Sequence, residues 1–308
     1  MIVLKYQDST IHHWSFKDIK HVSIWFKVNK LALNLTKTNY IIFRTRNRRL
    51  PTNLPDVYID NVVISRLQNV KFLGVLINEN LDWSNHISSI YKCLARNVGI
   101  LTKLKFTLPC NVLYMLYNSI VVPHLNYCNY IWGNTYKSHL TKINIIQKKA
   151  VRTISKSSWR FPSAPLFRQL NILPLHELIA FNTLIFMYCV HYRLLPEKYC
   201  NMFFVNSELH SYNTRQSHHF HQQKFRLTSS LNSISYTGVK EWNMLEDSIK
   251  SSTTITKFKK QCRTYLLESM PHVWKELTSS FRFPLLHTII IQSCILVSFY
   301  VLLTIHFI

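Results

Sequence analysis

The sequence predicts an α+β fold: short strands and helices mix near the N-terminus, and the remainder is almost all helical. Three observations carry this. The stretch FLGVLINENLDWSNHI, Phe72 to Ile87, changes its apolar period from about 2 to about 3.6 near Leu81. Upstream of it, β-prone runs stand between turn residues. Downstream, long segments repeat their apolar residues at helical spacing. Hydrophobic residues are 47% of the chain and charged ones 17%, which excludes wholesale disorder because ample apolar surface offsets chain entropy.

The elements follow in order. Ile19, Val22, Trp25, Phe26 and Leu31 recur at helical spacing and predict a helix from Phe16 to Leu33. A turn at Thr36–Lys37–Thr38 leads into a β-prone run, Tyr40–Ile41–Ile42–Phe43. Val57–Ile59 and Val62–Ile64, joined by Asp60–Asn61, read as a hairpin. Val70 to Ile77 is a second strand pair turning at Gly74. Trp83 to Lys105 is a long amphipathic helix: Ile87, Ile90, Leu94, Val98, Leu101 and Leu104 lie on one side, and Lys92, Arg96 and Lys103 on the other.

Pro109 starts a second helix running to Val122, which Pro123–His124 breaks. Leu140 to Ser155 is a third, with Leu140, Ile143, Gln147, Ala150, Val151 and Ile154 inward and Lys142, Lys149, Arg152 and Lys156 opposite. Each basic face has two readings, a solvated back or a stripe that tracks a phosphate backbone. Ser157 to Pro165 reads as a loop with two prolines. Pro174 to Leu195 reads as a buried apolar helix, its uninterrupted part too short to span a bilayer. Residues 206–230 are polar and irregular, and their histidines (His210, His218, His219, His221) have no cysteine at zinc-ligand spacing. Trp242–Ile249 and Phe258–Leu267 read as short helices, the second with Lys257, Lys259, Lys260 and Arg263 outward. Leu285 to Ile308 is apolar and uncharged, long enough to span a bilayer as a helix; a buried terminal helix and sequence unrelated to the fold are the alternatives.

The net charge of +23 points to a polyanionic partner, nucleic acid or an anionic membrane, and the 13% of aromatic residues adds stacking capacity that favours nucleic acid. Arg44, Arg46, Arg48 and Arg49 form either a solvated rim or a phosphate contact. Seven widely spaced cysteines without a C-x-x-C read as reduced intracellular thiols. MIVLKYQDST lacks the apolar core of a signal peptide. With only four glycines there is no Gly-rich phosphate loop, and the scattered acids form no catalytic constellation. No small-molecule substrate is evident.

Several motifs, weak singly but ordered, resemble one family. Trp25, Asn29–Lys30–Leu31, Leu33–Asn34, Lys37–Thr38 and Phe43 resemble the segment after the catalytic aspartates in jockey-like non-LTR retrotransposon reverse transcriptases. Phe72–Leu73–Gly74 resembles the primer grip that follows, and Leu81, Trp83 and His86–Ile87 the entry to the thumb. Trp132–Gly133, Gln147 to Arg152, Tyr212 to Arg215, Ser235 to Leu245 and Phe258–Lys259 resemble the thumb and connection.

The resemblance implies a truncated palm with short antiparallel strands plus helix (1–80), a helical thumb (81–160), a helical connection (161–270) and an apolar tail (285–308). Lys37 would stand near the incoming nucleotide as a general acid. Phe72, Leu73 and Gly74 would hold the primer end. Arg44, Arg46, Lys92, Arg96, Lys103, Lys142, Lys149 and Arg152 would contact an RNA and DNA template–primer, in the nucleus or cytoplasm. The intact family enzyme uses Mg²⁺. Its aspartates, including the [YF]-A-D-D turn, precede the Trp25 segment, and Tyr6–Gln7–Asp8–Ser9–Thr10 carries Gln and Ser where that turn has Ala and the second Asp. A chain without polymerase activity, holding no cofactor of its own, is therefore expected. The tail adds a membrane as an alternative partner and location.

Overall fold

Tyr40–Phe43, four buried apolar residues in a row, decide where the sheet forms. A strand without polar alternation needs cover on both faces and an inner place in its sheet. The computed structural model, which describes residues 2–5, 20–21, 23–44, 54, 56–209, 212 and 215–269, gives it that place. Strand β1 (Ile2–Lys5) and β2 (Asn39–Phe43) pair in parallel, with Val3 opposite Ile41. β3 (Val57–Ile59) and β4 (Val62–Arg66) form a hairpin, and β4 runs parallel to β2, giving the order β1-β2-β4-β3.

The expected all-antiparallel set is corrected here, because β2 is parallel to both neighbours. Parallel partners need a crossover long enough for a helix, and helical turns at residues 23–28 (α1) lie in the β1–β2 connection. The β3–β4 turn is the Asp60–Asn61 pair, with φ of 48° and 65° as a type I′ turn requires. Asp60 is bound by Lys27 Nζ at 2.7 Å and by the Ser23 hydroxyl, which ties α1 to this hairpin. Tyr40, Ile42, Val57, Ile59 and Ile64 make the core of the sheet, flanked by Leu33, Leu35 and Leu54.

β5 (Asn69–Phe72) and β6 (Val75–Asn78) form a separate two-stranded sheet with Phe72 opposite Val75. Its turn is Leu73–Gly74, φ 45° and 85°, and only glycine adopts the second value without strain. Glu79 follows, buried, with its carboxylate held by Arg44 and by Arg66 at 2.8 Å. Its backbone is pinned too, donating to the Gln68 carbonyl and accepting from the Arg44 amide. Leu81 and Trp83 then take left-handed φ values of 52° and 63°. Between them Asp82 starts the next helix by accepting from the Ser84 amide (2.9 Å) and hydroxyl.

The described chain divides into two compact units, this one up to His86 and a helical one from Ile87. α2 (Ser84–Leu104) buries Ile87, Ile90, Leu94, Val98 and Leu101, as its periodicity predicts. α3 (Cys110–Ile120) starts after Pro109. Pro123 does not simply break the chain: it sits in the first turn of α4 (Val122–Asn126), where a missing N–H costs nothing. α5 (Asn129–Trp132) precedes α6 (Lys137–Ile154), whose inward residues are those predicted. Buried Gln147 donates to Tyr117 Oη and to the Leu173 carbonyl, linking α6 to α3. The loop expected through Pro165 instead enters α7 (Ser163–Gln169), with Pro165 in its first turn.

α8 (Leu175–His191) is the hub, apolar nearly all round. Short α9 (Glu197–Cys200), α10 (Asn206–Leu209) and α11 (Thr228–Leu231) punctuate the polar region. The helix expected at Trp242–Ile249 is two: α12 (Ile234–Met244), which starts earlier, and α13 (Asp247–Lys250). Gly238 lets α12 lie close against α8, since a Cβ there would come to 2.9 Å from Met187 Sδ. α14 (Ile255–Glu268) closes the described chain, with Phe258 stacked on Tyr188 at 4.4 Å. Among the described residues no helix is long and apolar enough to cross a membrane, and the apolar stretch Leu285–Ile308 lies outside them.

With so few glycines, helices stop on other residues. Lys156, Asn171 and Arg193 end α6, α7 and α8 in left-handed conformation (φ 53°, 52° and 50°). Each shows the paired backbone bonds of a Schellman stop, such as Ser157 N–H to Arg152 O and Lys156 N–H to Thr153 O. A left-handed side chain costs roughly 1 kcal/mol. A cation at a helix C-terminus offsets part of that, by roughly 0.3–1 kcal/mol. Lys156→Gly and Arg193→Gly should therefore each stabilise the fold by about 0.5 kcal/mol, more at high salt; urea midpoints in low and high salt measure it.

Candidate nucleic-acid interface

Lys92, Arg96 and Lys103 lie exposed on the solvent face of α2, and Lys142 and Lys149 on that of α6. Among the described residues none of the five forms an ion pair. The reason is in the sequence: from Trp83 to His176 there are twelve lysines and arginines and no Asp or Glu. That acid-free run is a stronger signal than the spacing of the basic residues on either helix, and it is legible without a structure.

The other sequence-derived residues sort differently. Arg152 turns its Nε to the Phe161 carbonyl at 2.8 Å and so fixes the following loop. Arg44 is committed to Glu79. Arg46, Arg48 and Arg49 lie outside the described residues, as do Tyr6–Thr10, His210 and the Asn213–Thr214 part of YNTR. Lys37 ends a 3-10 turn, Leu35–Lys37, with its side chain exposed and its amide bound to Asn34 Oδ1 at 3.2 Å. Phe72 is half-buried, and Leu73 and Gly74 are exposed at the tip of the β5–β6 hairpin. Arg263, expected to face out, instead donates to the carbonyl of Asn171, and burial lowers its pKa. Lys257 and Lys260 are exposed as expected, whereas Lys259 is half-buried and burial lowers its pKa.

Three of the four carboxylates described in the first unit are committed to other groups, and the fourth, Asp56, is exposed. Asp60 is held by Lys27 and Ser23, Glu79 by two arginines, and Asp82 caps α2. Among the described residues no three His, Cys, Asp or Glu gather where a metal could be held. Of the histidines in the polar region, His221 engages Asn206 at 3.2 Å, and burial lowers the pKa of His219. The described cysteines are all free thiols, and burial pushes Cys189 up to about 11 and Cys262 up to about 12.

Over about half its length the chain is homologous to RNA-directed DNA polymerases of jockey and X-element non-LTR retrotransposons. It is 30% identical over 155 residues (49% of this chain, 16% of the relative) to the probable RNA-directed DNA polymerase from transposon X-element of Drosophila melanogaster. It is 29% identical over 153 residues (48% and 16%) to the RNA-directed DNA polymerase from mobile element jockey of the same fly. The Drosophila funebris jockey polymerase is 28% identical over 141 residues (44% and 15%). The chain thus spans about one sixth of the length of these relatives. No family model matches the chain, and no solved structure matches it.

Proposed function

We propose that this chain is the C-terminal part of a mobile-element RNA-directed DNA polymerase, covering the end of the palm, the thumb and a helical connection. Its work is to hold an RNA and DNA template–primer, inside the cell. The carrying observation is the acid-free run with its exposed, unpaired cations on α2 and α6. Two helices with apolar inner faces and basic outer faces suit a polyanion, because lysine and arginine neutralise phosphates and release the counterions around them. The homology adds the kind of polyanion.

In this reading the Leu73–Gly74 tip meets the primer end, where the bare glycine lets a backbone approach closely. Lys37 is the lysine near the incoming nucleotide, suited to protonate the pyrophosphate leaving group. Asp60, Glu79 and Asp82 are held by other groups, and Tyr6–Thr10 carries Ser where the family turn has its second Asp; both support a chain that does not by itself extend a primer.

The test is anisotropy of a labelled RNA–DNA template–primer titrated with the chain at several salt concentrations. Affinity should fall steeply with salt, and Lys92→Ala with Lys149→Ala should lower the slope of log K against log salt by roughly 2. Binding that ignores salt would sink the reading. In the same tube, Mg²⁺ and nucleotides should yield no extended primer; measurable synthesis would refute the inactive assignment.

A further inference from the structure

Two of the most exposed large apolar side chains among the described residues are Phe106, 87% exposed, and Trp159, 76% exposed. They belong to different loops, α2–α3 and α6–α7, yet the fold joins those loops. Lys105 Nζ donates to the Ser157 carbonyl at 3.2 Å. One aromatic is the next residue after this contact, and the other stands two residues beyond it.

Neither is a floppy tip. The last turn of α2 continues through Thr107 and Leu108, whose amides both donate to the Leu104 carbonyl. On the other side, the left-handed Lys156 stops α6 and directs the chain outward. Ser158 to Phe161 then close a turn, Phe161 N–H to Ser158 O at 3.1 Å, with Trp159 and Arg160 at its two central positions. Arg152 grips the Phe161 carbonyl from α6. Cations attend both rings: the Arg160 guanidinium lies 4.9 Å from the Trp159 ring centroid, and Lys105 Nζ lies 5.8 Å from that of Phe106.

We propose that this end of the helical unit is a stacking platform for unpaired bases of a single-stranded nucleic acid, with Phe106 and Trp159 as its faces and Lys105, Lys156 and Arg160 as its phosphate contacts. The inference rests on the nucleic-acid reading above and adds a strand type and a site to it. Exposed aromatic rings set among cations match the two surfaces of a nucleotide, a flat base and a charged phosphate. A duplex hides its base faces in its own stack, so the rings distinguish single strands from duplexes while the cations do not. Both loops lie inside the acid-free run, which leaves no carboxylate of these loops to repel the backbone. An exposed tryptophan beside an arginine also suits an anionic membrane, but the unopposed charge favours a polyanion, and the test separates the two.

The experiment compares the full chain with Phe106→Ala/Trp159→Ala against three targets: a labelled 20-nucleotide oligothymidine, a 20-base-pair duplex and vesicles containing phosphatidylserine. Circular dichroism checks the fold; both side chains are solvent-exposed, and Trp159→Tyr, which keeps a stacking ring, is the second variant. The expected result is roughly a tenfold or greater loss of affinity for the single strand, duplex affinity within about twofold, and recovery in Trp159→Tyr. Equal loss on single strand and duplex, or no loss on either, overturns the platform while leaving the wider reading intact. Loss confined to the vesicles overturns it in favour of a membrane contact. A parent chain that binds neither nucleic acid takes both readings down.

Discussion

Replacing Glu79 with alanine is expected to destabilise the first unit by about 3 kcal/mol, the largest effect of any single substitution considered. Glu79 is 7% exposed and takes Arg44 on one carboxylate oxygen and Arg66 on the other. Truncation leaves two half-buried guanidinium groups side by side with no counter-charge, and the penalty of that uncompensated pair dominates. Glu79→Gln should lie between, since the amide keeps one acceptor. The triple change Arg44→Met, Arg66→Met, Glu79→Leu should recover most of the loss, because an apolar set of similar volume needs no desolvated charge. By contrast Lys27→Ala, which removes the exposed cation of the Lys27–Asp60 pair and leaves the turn intact, should change stability far less, because water screens that pair. Urea unfolding of the four variants checks the ranking. A Glu79→Ala effect as small as that of Lys27→Ala would show that the arginines find water instead.

Acidification should weaken the same unit through His86. Burial pushes its pKa down to about 4, and its Nδ1 accepts the Leu76 N–H at 3.3 Å, an interaction open only to the neutral ring. The folded state therefore resists a proton that the unfolded state takes up near pH 6.5. Stability from this group is fully present above about pH 6.5, falls as the pH drops through that value, and is fully lost below about 4. From pH 7.5 to 5 the loss is about 2 kcal/mol. His86→Asn keeps an acceptor for Leu76 without the titration. It should be less stable at neutral pH yet lose less on acidification. Parallel stability–pH curves for parent and variant would rule His86 out as the cause.

How much of this was legible beforehand depends on which force shapes each part. The long helices were legible because burial imposes a 3.6-residue period: Leu94, Val98 and Leu101 are fully buried where the pattern puts them. The two tight turns were legible because Asp60–Asn61 and Gly74 are residues that tolerate left-handed backbone. The parallel pairing of β2 was not, since a continuous apolar run states only that both faces are covered and not which way the neighbours run. The fate of Arg44 was equally hidden. An arginine after a strand looks the same whether it faces a phosphate or a glutamate 35 residues on, and only the fold brings Glu79 to it. Phe106 and Trp159 lie outside any period, so nothing marked them until their exposure could be seen.

The acid-free run has a consequence beyond binding. A surface with no internal neutralisation carries its own repulsion, and any polyanion that covers it relieves that repulsion. A polyanion that binds the helical unit would therefore also stabilise its fold, acting as its counterion. The same lack of neutralising acids gives no means of choosing among polyanions, because ribosomal RNA or heparin would satisfy the cations as well as a template would. Discrimination must then come from groups that read something other than charge, such as shape, unpaired bases or the end of a strand.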